Sequence, residues 1–257
     1  MGERAAYEHG TPNWVELGTD EPEAACSFYS ELFGWEGEEI PGGHGSYTMF
    51  RLGGKKVAGI LARGEKQPVN AWNSYIAVND ADVAAARVAE LGGTVAAGPF
   101  DLPGAGRAAF VLDPSGAAVG LWEAREHFGA ELVNEPGALC MNQLNSRDPE
   151  AALTFFVSLF GWRVEDMGTE DLAYWGFFRD DTMASMNATM TLLPPDGGAP
   201  SHWLAYFAVS DVEASTAKAK ELGGGIDLEA EIEDGRIAVL TDPQGAYFAL
   251  FEGELDP

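Results

Sequence analysis

Phe28-Tyr29-Ser30-Glu31-Leu32-Phe33-Gly34-Trp35 returns, about half a chain later, as Phe155-Phe156-Val157-Ser158-Leu159-Phe160-Gly161-Trp162. Each copy reads as the end of an amphipathic helix stopped by glycine, the residue that enters a left-handed conformation without a Cβ clash. Each copy then places a tryptophan at the start of the next strand. Other blocks recur at nearly the same spacing. Glu21-Pro22-Glu23-Ala24-Ala25 matches Asp148-Pro149-Glu150-Ala151-Ala152, and Glu90-Leu91-Gly92-Gly93 matches Glu221-Leu222-Gly223-Gly224. Asp113-Pro114-Ser115-Gly116 matches Asp242-Pro243-Gln244-Gly245. The chain is a duplication, and the repeat sets the architecture.

Registered against these blocks, the pattern divides each half again. Asn13–Thr19 alternates as a strand, Glu21–Phe33 is helical, and Trp35–Leu61 is predicted as three strands broken at Pro41-Gly42-Gly43 and Gly53-Gly54. The order restarts with a strand over Trp72–Val78 and a helix over Ala81–Leu91. Strands follow around Val95, over Ala108–Leu112 and over Ala117–Trp122. The second half repeats this, with strands from Leu139 and His202 and helices over Pro149–Phe160 and Val212–Leu222. Four βαβββ units result, at 12–61, 71–123, 139–191 and 201–252. They form a first domain at 1–123 and a second at 139–257, with 124–138 as linker and residues 1–11 as a loose lead. The fold class is α+β.

The 257 residues carry a net charge of −26 and are 46% apolar. Such a chain can bury a core, and it repels nucleic acid and anionic membrane surfaces. No run of 18 apolar residues predicts a membrane span. Met1–Gly10 lacks a signal peptide's apolar stretch. Cys26 and Cys140, one in each half, then read as reduced thiols in the cytoplasm.

Four such units, with the Pro-Glu-Ala-Ala, Leu-Phe-Gly-Trp and Asp-Pro-x-Gly blocks, resemble the vicinal oxygen chelate superfamily of glyoxalases, bleomycin-resistance proteins and extradiol dioxygenases. The stretch from Gly129 to Cys140 is similar to a four-unit actinobacterial branch that groups hydroxylases of antibiotic pathways with a mycobacterial antigen. The resemblance implies curled mixed sheets around cavities, with helices outside. Pairing of units one with two and three with four, or one with four and two with three, stays open.

Many members of the superfamily hold a divalent metal on His, Gln or Glu side chains. Their first ligand lies seven residues before the acidic residue that opens the helix, which here gives Trp14, Asn73, Met141 and Leu204. Their glutamate lies seven residues after the Asp of Asp-Pro-x-Gly, which here gives Gly120 and Ala249. These side chains are poor partners for a divalent ion, so no metal and no other cofactor is expected.

Strand parity turns Trp14, Glu16, Asn73, Tyr75, Gly120 and Trp122 inward in the first half. In the second it turns Met141, Gln143, His202, Leu204, Tyr206, Tyr247, Ala249 and Phe251. Small Gly120 and Ala249 are expected to open volume, and the aromatic walls to suit a flat hydrophobic ligand. Trp14 and Trp122 are read as lining ahead of filling, Trp35 and Trp162 as core anchors, and His202 as a solvated rim residue. His44 and His127, in loops, carry little signal. A glutamate between Val15 and Leu17 is unusual. Either Glu16 pairs with Arg51 or Arg107, or it serves as a general base with a raised pKa, with Tyr75 or Tyr206 as its partner. Gln143 at the matching place cannot exchange protons. Two functions follow: a binder of an aromatic, polyketide-like molecule in antibiotic biosynthesis or resistance, or an enzyme acting on one through Glu16. A metal-dependent lyase or dioxygenase ranks behind both. A monomer or homodimer is expected.

Overall fold

The computed structural model describes residues 2–40, 47–64, 67–180, 186–194, 197–233 and 235–255. The first half contains β1 (Pro12–Thr19), α1 (Pro22–Phe33), β2 (Glu36–Ile40), β3 (Tyr47–Leu52) and β4 (Lys55–Ala62). It continues with β5 (Ala71–Ala77), α2 (Ala81–Glu90), β6 (Thr94–Leu102), β7 (Gly106–Leu112) and β8 (Ala118–Ala124). The second half repeats the order: β9 (Leu139–Ser146), α3 (Pro149–Phe160), β10 (Arg163–Asp166), β11 (Tyr174–Phe178) and β12 (Met186–Leu192). Then come β13 (His202–Ala208), α4 (Val212–Glu221), β14 (Gly225–Ile232), β15 (Gly235–Thr241) and β16 (Tyr247–Gly253). The breaker at Pro41-Gly42-Gly43 and His44 lie outside the described residues.

The helix ends follow from local chemistry. Asp80, Asp148 and Asp211 each accept a backbone N–H of the first turn, at 2.9, 3.1 and 2.8 Å. Pro22 and Pro149 open α1 and α3, where no intrahelical N–H is needed. Gly34 and Gly161 close them in the left-handed conformation, at φ 74° and 72°.

Each half forms one eight-stranded sheet, ordered β2-β3-β4-β1-β5-β8-β7-β6 and β10-β11-β12-β9-β13-β16-β15-β14. The two middle strands pair antiparallel, β1 with β5 and β9 with β13. Units one and two therefore share a sheet, as do three and four. The sheets are mixed and do not close into barrels. Each has a helix-bearing face and a helix-free face.

The helix-bearing faces do not look out to solvent over their whole extent, as helices outside the sheets would suggest. They press against each other. One buried cluster joins α1 and β1 to β13, β15 and β16, and includes Phe28, Tyr29, Trp35, Phe207 and Phe248. A second joins α2 and β7 to α3 and β12, through Val88, Val111, Phe155, Phe156 and Trp162. Burial drives this contact, and polar groups fix its register. The Trp35 indole donates to the Gly137 carbonyl at 2.7 Å, and Trp162 to the Gly10 carbonyl at 2.7 Å. Tyr29, buried on α1, donates to Asp242 at 3.1 Å and accepts from Trp72 at 2.9 Å. Ser74 on β5 donates to Asn142 on β9 at 2.6 Å, from one sheet to the other.

The N-terminal lead is not loose. Glu3 bridges to Leu132, the Arg4 amide donates to the Glu131 carbonyl at 3.0 Å, and the Tyr7 hydroxyl donates to the Ala130 carbonyl at 2.8 Å. Lead and linker hold one another beside the first sheet.

Candidate site on the helix-free faces

On the helix-free face of the first sheet, register places Trp14 opposite Tyr75 and Glu16 opposite Asn73. Gly59 is the parallel neighbour of Glu16, and Gly120 that of Tyr75. The Tyr75 hydroxyl donates to Glu16 Oε1 at 2.8 Å. Tyr47 on β3 reaches the same carboxyl. Its hydroxyl fits because Gly59 has no side chain: a Cβ there would lie 1.9 Å from the Tyr47 oxygen. The Trp14 indole donates to the Tyr47 oxygen at 3.2 Å. With an oxygen lone pair so occupied, the Tyr47 O–H is free to turn to Glu16.

Burial raises the Glu16 carboxyl above the ordinary carboxylate range, and the two phenols, which favour its charged form, offset this in part. Tyr75 and Tyr47 stay far above the usual phenol range, through burial first and the neighbouring Glu16 charge second. Both phenols therefore stay protonated and donate to Glu16, and of the three groups Glu16 ionises first. Among the described residues no cation pairs with it. Arg51 pairs with Glu38 at 2.9 Å and with Glu131, and Arg107 with Asp82 at 2.7 Å and with Asp101. The expected ion pair of Glu16 with Arg51 or Arg107 does not form.

Around Glu16 the face is aromatic. Trp14, Met49, Tyr75 and Trp122 are buried, whereas Glu16, Asn73, Tyr47 and Phe110 keep part of their surface open. Asn73 donates to the Glu16 backbone carbonyl at 3.2 Å, so its amide supports the strand pair. The volume expected beside Gly120 is already filled, because a Cβ there would lie 2.2 Å from the Tyr75 ring. Tyr75 can lie flat against the neighbouring strand because that position is glycine.

Sequence reading passed over His127. It lies in the linker, edge-on to Trp14 at 4.6 Å between centroids and to Trp122 at 5.6 Å. Neither ring nitrogen has a hydrogen-bond partner among the described residues. Burial, helped by the Lys56 charge, lowers its pKa to about 4. Linker residues escape periodicity arguments, so only the clustering of Trp122, His127 and the Gly129 turn could have flagged it. Tyr47 was also missed, although Tyr174 repeats it at the same spacing as the opening blocks.

The second sheet builds the same constellation with other chemistry. Tyr206 donates to Gln143 Oε1 at 3.3 Å. Tyr206 is thus the partner of Gln143 and not of Glu16, since units three and four share a sheet. Thr189 occupies the place of Gly59 and lies beside Gln143. His202 is not a free rim residue: its Nε2 lies 3.3 Å from Asn145 Nδ2, and its Nδ1 lies 2.8 Å from the Pro200 carbonyl. Leu204 and Ala249 are buried beside Tyr206, Met141 and Phe251 are half-buried, and Tyr247 is exposed at the end of its strand. The inward positions thus divide into two separate faces, Trp14, Glu16, Asn73, Tyr75 and Trp122 on one, and Met141, Gln143, His202, Leu204, Tyr206, Tyr247 and Phe251 on the other.

Two sheets of paired βαβββ units, each with a tyrosine-anchored polar group on its helix-free face, define a tandem α+β fold. The chain belongs to the Glyoxalase/Bleomycin resistance protein/Dioxygenase superfamily, whose model matches residues 11–121 and 138–250. It is 42% identical over 98% of both chains to a putative glyoxylase CFP32 of Mycobacterium bovis. It is 33% identical to the anthracycline biosynthesis protein DauV of Streptomyces sp. strain C5, over 96% of this chain and 94% of that one. Among solved structures it is similar to the 2,3-dioxygenase LapB of Pseudomonas sp. KL28, with a TM-score of 0.68 and 14% identity over 98% and 95% of the two chains. It is also similar to a Mn(II)-bound glyoxalase of Novosphingobium aromaticivorans, with a TM-score of 0.65 and 16% identity over 98% and 83%. At such identities these last two share the fold alone.

The residues here do not fit the metal that the superfamily implies. Its ligand slots hold the indole of Trp14, the amide of Asn73, the thioether of Met141 and the alkyl chain of Leu204, with Gly120 and Ala249 at the others. Among the described residues no three His, Cys, Asp or Glu converge. No helix among them is long and apolar enough to cross a membrane.

Proposed function

We propose that this chain acts without a metal on a hydrophobic aromatic, polyketide-like molecule of antibiotic metabolism, and that Glu16 moves a proton on it. The carrying observation is a Glu16 carboxyl with no cation paired to it among the described residues, held by two phenols and facing an aromatic wall. The ligand stacks on the aromatic face of the first sheet, where Trp122 and Trp14 supply ring surface. Glu16, with its pKa moved toward neutrality by burial, takes a proton from an acidic C–H or O–H of the ligand and returns it. Tyr75 and Tyr47 donate to the carboxylate before it takes the proton, and again once the proton is returned, and hold it in place. The two anthracycline biosynthesis relatives, 33% and 32% identical, support this ligand class.

Binding without turnover is the second reading. It is favoured by the burial of Trp14, Tyr75 and Trp122 and by the Tyr75 ring filling the space at Gly120. Tryptophan fluorescence with planar aromatic polyketides, paired with a turnover assay, separates the two. Glu16→Gln is expected to keep affinity and lose about 10²–10⁴-fold in rate. Turnover by Glu16→Gln at the wild-type rate would leave the binder. Elemental analysis of protein purified without added metal is expected to find less than one divalent ion per chain, and a stoichiometric ion would restore the metal-dependent reading.

A further inference from the structure

The helix-free face of the second sheet carries four polar side chains in one line. Tyr206, Gln143, Asn145 and His202 are joined at 3.3, 2.9 and 3.3 Å, and His202 ends the line on the Pro200 carbonyl at 2.8 Å. This face is also the more open of the two. Trp14, Met49 and Trp122 are buried on the first face, whereas Met141, Gln143, Ile237, Val239 and Phe251 all keep exposed surface on the second.

The direction of each hydrogen bond can be worked out from the end. A carbonyl only accepts, so His202 Nδ1 carries a proton. In neutral His202 the Nε2 is bare and accepts from Asn145 Nδ2. Asn145 Oδ1 then accepts from Gln143 Nε2, and Gln143 Oε1 accepts from Tyr206. Every acceptor in the amide line is engaged, and each amide has a second N–H with no partner among the described residues. In the imidazolium, Nε2–H donates instead, both amides turn over, and the Gln143 N–H donates to the Tyr206 oxygen. The Tyr206 O–H is then released. In both directions the surplus is a donor. The first face has the opposite character, because the ionised Glu16 only accepts.

We propose that this second face is a separate small-molecule site, which takes a flat apolar ring through a carbonyl oxygen such as that of a quinone or aryl ketone. Met141, Leu204, Val239 and Phe251 supply the apolar wall, and Gln143, Asn145 or Tyr206 donates to the carbonyl. The site needs no proton transfer and does not depend on the role of Glu16.

The probe is 2,3-dimethyl-1,4-naphthoquinone, whose blocked ring positions prevent addition of the nearby Cys140 thiol. The control is 2,3-dimethylnaphthalene, the same ring without carbonyls. With methyl-labelled methionine, the Met141 signal reports the second face and Met49 the first. The quinone is expected to shift Met141 and to bind about tenfold more tightly than the hydrocarbon, as one or two added hydrogen bonds require. In Gln143→Met that preference should fall to about twofold or less. Shifts confined to Met49, no shift at either methyl, or equal affinity for quinone and hydrocarbon would each overturn the proposal. The last comparison uses wild-type protein and holds even if Gln143→Met does not fold.

Discussion

Two residues on the first face carry opposite pH signatures. Burial raises Glu16 in the folded state, so folding tightens its hold on a proton. Its ionisation costs stability progressively as pH rises from its ordinary value through the raised one. Glu16→Gln stays neutral and should gain on the wild type across that window. Thermal melts are expected to coincide near pH 4 and to favour the variant at pH 8; a constant difference would contradict a carboxyl raised by desolvation. His127 works in reverse. Its folded value is lowered to about 4 from an ordinary 6.5, so the unfolded chain takes the proton first. Stability is complete above the ordinary value and falls as pH drops toward 4, by at most about 3 kcal/mol. His127→Phe keeps an aromatic ring against Trp14 and should lack that fall, as paired denaturation curves at pH 7 and pH 4.5 would show. Glu16 and Tyr75 were legible before the structure, because an alternating strand assigns each side chain to a face. The arginine alternative for Glu16 was equally legible and fails, since Arg51 meets Glu38 on β2 and Glu131 in the linker, and Arg107 meets Asp82 on α2 and Asp101 on β6. His127 was illegible because no period governs a linker.

At the scale of the element, the helix end at Gly34-Trp35 and its copy at Gly161-Trp162 each set a buried indole into the core. Both tryptophans are buried, at 3% and 2% exposure; the Trp35 indole donates to the linker and the Trp162 indole to the N-terminal lead. Replacing either by alanine opens a cavity and orphans a carbonyl. The expected cost is about 3–5 kcal/mol for Trp35→Ala or Trp162→Ala, read as a lowered urea midpoint at unchanged slope. A wild-type midpoint with lost ligand binding would reassign the tryptophan to the site. The sequence repeat made the helix stops and the core role of these rings readable. It did not show what the indole N–H meets, because Gly137 and Gly10 are brought there by the linker and the lead, neither of which repeats.

At the scale of the molecule, the duplication announces two halves and says nothing of how they meet. Equal halves have equal apolar faces, and Phe28, Phe33 and Phe155 could have packed wholly against their own sheets. Instead α1 shares a core with β13 and β16, and α3 with α2 and β7. Phe33 lies 5.1 Å from Phe207, and Phe155 sits where a side chain on Gly93 would be, 2.8 Å from its Cβ. Tyr29 and Asp242 add a buried polar tie between the halves. Neither half can open without exposing the aromatic core of the other. Independent tandem domains melt in two steps, whereas a shared core couples them into one. Calorimetry is therefore expected to show a single transition, with calorimetric and van't Hoff enthalpies equal. In Tyr29→Phe, which loses the tie to Asp242, the transition should move down in temperature yet stay single. Two resolved transitions in the wild type would mean that each half stands alone, and that the shared cores contribute less than the sheets they join.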